Sequence, residues 1–152
     1  MKRGVLGTLN ALAVIGLIGC VQPEKTSENN LYDQLLVSGV FASNAEGDVE
    51  LMDTTSKTLN LALSNGQSIR FLVKENGTTG YLWNGVVDNG KCSVNVEHLS
   101  PKSDGTMVGV PGKARVTIKR IDSGDCNVTL KYMRSWEPNA PASVIVISVH
   151  DK

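Results

Sequence analysis

Aromatic residues are scarce in this chain, at 5% of 152 residues, and there are only two histidines. His98 and His150 lie far apart, and no Cys-x-x-Cys occurs. No metal centre is therefore expected. Charge of one sign is also lacking, since 15 basic residues meet 15 acidic ones. That balance excludes the strong positive field of a nucleic-acid binder. The sequence has no nucleophile elbow, no phosphate loop and no carboxylate pair in a recognisable setting. The expectation is accordingly no catalytic residue, no cofactor and no enzyme. Long helix-period patterns, internal repeats and low-complexity tracts are missing too.

What is present favours strands. Apolar residues make up 41% of the chain, enough for a packed core, and fifteen Gly with five Pro supply turns. Several segments alternate apolar and polar residues with the period of two that a half-buried strand requires. Thr58 to Leu63 is one. Ile69, Phe71 and Val73 share a face of the next, and Tyr81 to Val87 follows. Cys92, Val94, Val96 and His98 align on another. Ala114, Val116 and Ile118 align on the next, then Val128, Leu130 and Tyr132. Ala142 to Val149 closes the series. About seven short antiparallel strands at this spacing predict an all-β, immunoglobulin-like β-sandwich. Trp83 shares a face with Tyr81 and is the expected buried Trp, whereas Trp136 sits in a loop.

The first twenty residues read as a targeting segment. Lys2 and Arg3 precede an apolar run, Gly4 to Ile18, that is too short for a comfortable membrane span. The run ends in Leu17-Ile18-Gly19-Cys20, which resembles a bacterial lipobox. That resemblance implies lipidation at Cys20 and an exported, membrane-anchored protein, periplasm-facing or on the cell surface. Each buried methylene of such an anchor contributes about 0.8 kcal/mol. Residues 21–50 read as a polar tether, with a typical span of roughly 30 Å. Within it, Leu31 to Phe41 is more apolar and fits either a short helix or an extra strand. Residues 51–152 are the expected folded domain, a monomer. In an exported chain the two remaining cysteines, Cys92 and Cys126, fit either a disulfide or two buried thiols; an oxidising compartment favours the bridge.

Three loops between the strands carry the functional reading. The first is Asn76-Gly77-Thr78-Thr79-Gly80-Tyr81, the second Gly109-Val110-Pro111-Gly112, and the third is centred on Arg134-Ser135-Trp136-Glu137. Stiff β-branched threonines beside a permissive glycine make a short, prearranged tip. Such a tip enters a narrow cleft with little further loss of entropy. An exposed Trp is a candidate anchor, and Arg134 is also spaced to pair with Glu137. The first loop resembles the Asn-Pro-Thr-Thr-Gly-Tyr signature of the chagasin-like inhibitors of papain-type cysteine peptidases, with Gly77 in place of the proline. Arg134-Ser135-Trp136 resembles that family's Arg-Pro-Trp, again without the proline, and Gly109 to Gly112 resembles its glycine-rich middle loop.

The resemblance covers roughly residues 56 to 150 and implies the same sandwich, with all three loops at one end. It implies a reversible inhibitor whose partner is a papain-like cysteine peptidase. Thr78 and Thr79 would lie over the catalytic cysteine, Trp136 on the primed side and Gly109 to Gly112 on the opposite side. The alternative from composition and fold alone is an immunoglobulin-like surface binding or adhesion module.

Overall fold

Alternation along the chain decides which side of each strand is buried, and two sheets close over the result. The computed structural model describes residues 32–33, 35–36, 39–100 and 111–152. Among the described residues nine strands are formed: β1 (Phe41–Ser43), β2 (Val49–Leu51), β3 (Lys57–Leu63), β4 (Ser68–Glu75), β5 (Tyr81–Val87), β6 (Cys92–Leu99), β7 (Gly112–Arg120), β8 (Cys126–Arg134) and β9 (Ser143–Asp151). One sheet has the order β1-β2-β4-β7-β6 and the other β3-β9-β8-β5. The expected all-β sandwich is present.

The core lies between the sheets. Ile69, Phe71 and Val73 of β4 face it, as do Ala114, Val116 and Ile118 of β7 and Val128 and Leu130 of β8. Ile145, Ile147 and Val149 of β9 complete the wall. Trp83 is fully buried. Its ring stacks on Tyr132 with centroids 4.9 Å apart, and its Nε1 donates to the Lys74 carbonyl at 2.8 Å. A buried indole N–H needs such a partner. Gly85 allows β5 to approach β6 closely, because a Cβ there would fall 2.9 Å from a Val94 methyl. Phe41 meets Phe71 edge-on at 5.2 Å, the favoured geometry for aromatic pairs.

Three expectations need correction. Packed structure is present before Leu51, so the described residues between 32 and 50 are not simply a tether. Leu35, Phe41 and Val49 are buried in the core, and β1 and β2 extend the first sheet beside β4. The more apolar stretch is helical at residues 32–33 and 35–36 and then joins β1. The strand count among the described residues is nine instead of about seven, because of β1 and β2. The pairings are not all antiparallel, since β2 runs parallel to β4 and β3 parallel to β9. β2 and β3, one strand from each parallel pair, flank the point where the chain changes sheet. The signal reading of residues 1–20, including Cys20, lies outside the described residues.

Cys92 and Cys126 form a disulfide with Cα atoms 6.2 Å apart, a separation within the ordinary range. It ties β6 of one sheet to β8 of the other. At the same pole Arg120 is fully buried, its guanidinium donating to the carbonyls of Leu63, Gly124 and Asp122 at 3.0, 2.9 and 3.1 Å. It also pairs with Asp151 at 3.3 Å. Buried charge requires partners of this kind.

Candidate functional site

Strand register fixes where the loops lie. The last residue of β4, Glu75, pairs with Gly112, the first of β7. The first residue of β5, Tyr81, pairs with Arg134, the last of β8. The first loop leaves β4 and enters β5, Pro111 leads into β7, and the third loop leaves β8. All three bases therefore meet at one pole, opposite the disulfide. The first loop crosses from one sheet to the other.

The first loop is a single 3₁₀ turn over Gly77–Thr79. Its amides are spent locally: Thr79 N donates to the Asn76 carbonyl at 3.2 Å, and Gly80 N to that of Gly77 at 3.1 Å. The threonine hydroxyls turn back as well. Thr78 Oγ1 donates to Asn76 Oδ1, and Thr79 Oγ1 to the Asn76 carbonyl at 2.9 Å. Gly80 ends the turn at φ 82°, in the left-handed region that costs glycine nothing. Asn76 and Tyr81 then pair across the base as an isolated bridge. Hydrogen bonds thus provide part of the stiffness that a proline at position 77 would supply.

The third loop leans on the first. Trp136 is 65% exposed, so it is no core residue. Its ring lies across Gly80: a Cβ on that glycine would overlap Trp136 Cη2 and sit 3.1 Å from both Cζ2 and Cζ3. Glycine is therefore required at position 80 twice over, by its backbone angle and by the indole. Arg134 completes the junction. Its Nε donates to the Thr79 carbonyl at 3.2 Å, and its Cζ lies 4.5 Å from the Tyr81 ring centre and 5.8 Å from that of Trp136. Its Nη1 reaches Glu137 at 3.3 Å. The expected ion pair of Arg134 with Glu137 is formed, from the last residue of β8.

Of the second loop, Pro111 and Gly112 are described and reach this pole; Gly109 and Val110 lie outside the described residues. A shallow recess is lined by Gly77 and Thr78 from the first loop and by Leu99, Ser100 and Gly112 beside the second. The two loops are therefore neighbours. Among the described residues no group of three His, Cys, Asp or Glu side chains could hold a metal.

Beneath the tips is a polar layer that sequence reasoning missed. Glu75 is only 5% exposed. His98 Nδ1 lies 3.0 and 2.9 Å from its two oxygens, and Trp83 N donates to Oε2 at 3.4 Å. Tyr132 contributes its hydroxyl, which accepts from Asn76 N at 2.9 Å. Burial pushes the Tyr132 phenol up from its ordinary value, with Glu75 and Tyr81 adding to the effect, so the phenol stays neutral. A signal was available: Glu75 continues the inward series Ile69, Phe71, Val73, and His98 continues Cys92, Val94, Val96.

Comparison with known proteins decides the family. The model of the chagasin family peptidase inhibitor I42 matches residues 62–149. The chain belongs to that family. As a member it is a protein inhibitor of papain-like cysteine peptidases and not itself an enzyme. The inhibitor is 29% identical over 99 residues to Amoebiasin-1 of Entamoeba histolytica, covering 64% of this chain and 93% of the relative. Among solved structures it is similar to Amebosin, with 28% identity and a TM-score of 0.51 over 68% of this chain and 96% of the other. The cysteine protease inhibitor EhICP2 from Entamoeba histolytica is 22% identical, with a TM-score of 0.49 over 68% of this chain and 92% of its own. The family match begins within β3, so β1 and β2 lie outside it.

Proposed function

We propose that this inhibitor blocks the active-site cleft with the loop pole and does so reversibly. The first loop, Asn76 to Tyr81, enters over the catalytic cysteine, with Thr78 and Thr79 at its apex. Trp136 and Arg134 contact the cleft on one side, and Gly109, Val110, Pro111 and Gly112 on the other. The observation that carries this reading is the seat of Trp136 on Gly80 together with the Arg134–Thr79 bond. Two loops distant in sequence form one prearranged tip, which loses little entropy on binding. A turn already hydrogen-bonded to itself also resists being drawn out as an extended substrate, and this favours occlusion without cleavage.

The finer setting is part of the same proposal. The protein is exported and held at a membrane surface through a lipid on Cys20, faces the periplasm or the cell exterior, and acts as a monomer. Residues 21–31 then serve as the tether to the folded unit.

Titration of the purified protein against papain tests the mechanism. The expected result is competitive, fully reversible inhibition, with the inhibitor recovered intact after long incubation. An unchanged papain rate at micromolar protein would sink the proposal and favour a surface binding module. Cleavage within Asn76 to Tyr81 during inhibition would replace occlusion with slow turnover.

A further inference from the structure

The layer beneath the loops has no share in the proposed contacts, yet it contains a nearly buried carboxylate. Burial of such a group is unfavourable unless it is well partnered. The partners of Glu75 come from different strands. Glu75 ends β4 and immediately precedes the first loop. His98 comes from β6, in register with Ala114, two residues into β7 from Gly112. Trp83 belongs to β5, on the far side of the first loop and in the other sheet. One carboxylate thus joins both ends of the first loop to the strand that leads into the second.

We propose that Glu75, braced by His98, is a positioning residue for inhibition: it fixes the angle of the first loop relative to the second. This proposal rests on the reading of the pole as the peptidase-binding surface. The Asn76 amide bonded to Tyr132 extends the brace to β8, the strand carrying the third loop. Glu75 is nearly buried, and His98 beside it lines the recess between the first two loops. They act through Asn76, whose carbonyl and side chain hold the turn's amide and hydroxyls. Without the carboxylate the 3₁₀ turn can still form, but its base is free to swing between the sheets. A loop that swings must be re-ordered on binding, so affinity falls while the core stays packed.

The test uses the full-length protein as wild type, Glu75→Leu, Glu75→Gln and His98→Ala, each also combined with Gly77→Pro. Inhibition constants against papain are measured well below each melting midpoint, and amide exchange at Thr79 and Gly80 is followed by NMR in the free protein. Glu75→Leu and His98→Ala should raise the inhibition constant roughly tenfold, because a charged hydrogen bond at the loop base is lost. Exchange at Thr79 and Gly80 should quicken relative to amides of β7. Glu75→Gln, which keeps the shape and one acceptor, should recover most of the loss. Gly77→Pro should recover part of it in Glu75→Leu, since a stiffer turn depends less on the brace.

Folded Glu75→Leu and His98→Ala proteins with wild-type inhibition and wild-type exchange would overturn the proposal. If Glu75→Leu does not fold, His98→Ala decides, because His98 is half-exposed at the rim of the core. If wild type fails to inhibit papain, the reading of the pole fails, and loop exchange alone then judges the brace.

Discussion

Trp136 is where one residue most sharply separates function from stability. Large exposed aromatics contribute little to a fold, but an aromatic anchor at an interface commonly accounts for about 2 kcal/mol or more. Trp136→Ala should therefore raise the inhibition constant roughly thirtyfold by that conversion. Thermal stability should change little, by within about 0.5 kcal/mol, as for most exposed substitutions. Paired inhibition and melting measurements check both halves; a large loss of stability with unchanged inhibition would make the indole a structural strut. The two tryptophans were separable by reading the sequence. Trp83 falls in phase with a strand's inward face, whereas Trp136 follows the end of an alternating run. Glu75 and His98 also continue the phase of their strands, but a charged or titratable residue breaks an apolar pattern, and sequence alone could not show that His98 partners the buried Glu75 carboxylate.

At the scale of the element, the first loop lacks the proline of its family signature. The structure shows what takes its place: two backbone hydrogen bonds and two threonine hydroxyls, all converging on Asn76 and Gly77. Position 77 is nevertheless ready for proline. It opens the 3₁₀ turn, where a missing N–H is harmless, and the donating amides are those of Thr79 and Gly80. Asn76, at φ −125° and ψ 81°, lies outside the helical region that a following proline disfavours. The nearest atom to a Cβ there is Leu82 Cδ2, at an easy 3.7 Å. Gly77→Pro should then stabilise the bound conformation by about 0.4–1 kcal/mol and tighten inhibition roughly twofold to fivefold. Weaker binding in a correctly folded variant would show that the loop must flex on entering the cleft. The longer strands were legible because a period of two over seven or more residues is hard to mistake. β1 and β2, at three residues each, are too short to display a period. The polar hairpin between them looks like linker, although Asn44 Oδ1 holds it by accepting from Glu46 N and Asp48 N at 2.9 Å each.

The whole molecule divides its tasks between two poles. One pole carries the loops. The other carries the disulfide and Arg120, which close the ends of β3, β6, β7 and β8 against the turns. The anchor proposed at Cys20 adds a third, independent part: Cys20→Ala should move the protein from the membrane to the soluble fraction without changing its inhibition constant. A variant that remained membrane-bound would remove the lipid from the account. The disulfide tests the division of poles itself. Closing a loop with a sequence separation of 34 contributes about 3–4 kcal/mol by loop-closure entropy. That stabilisation acts on the unfolded chain and so cannot be aimed at any one pole. Its local effect is to join β6 to β8 at the end farthest from Thr79 and Trp136. The double variant Cys92→Ser, Cys126→Ser should therefore unfold at markedly lower denaturant. Where the variant is still folded, it should inhibit papain within about twofold of wild type, since sites that share no partners behave almost independently. A large loss of inhibition in that folded variant would mean that the sheets shift as rigid bodies. The geometry of the loop pole would then be set across the whole length of the sandwich rather than by the contacts among its own tips.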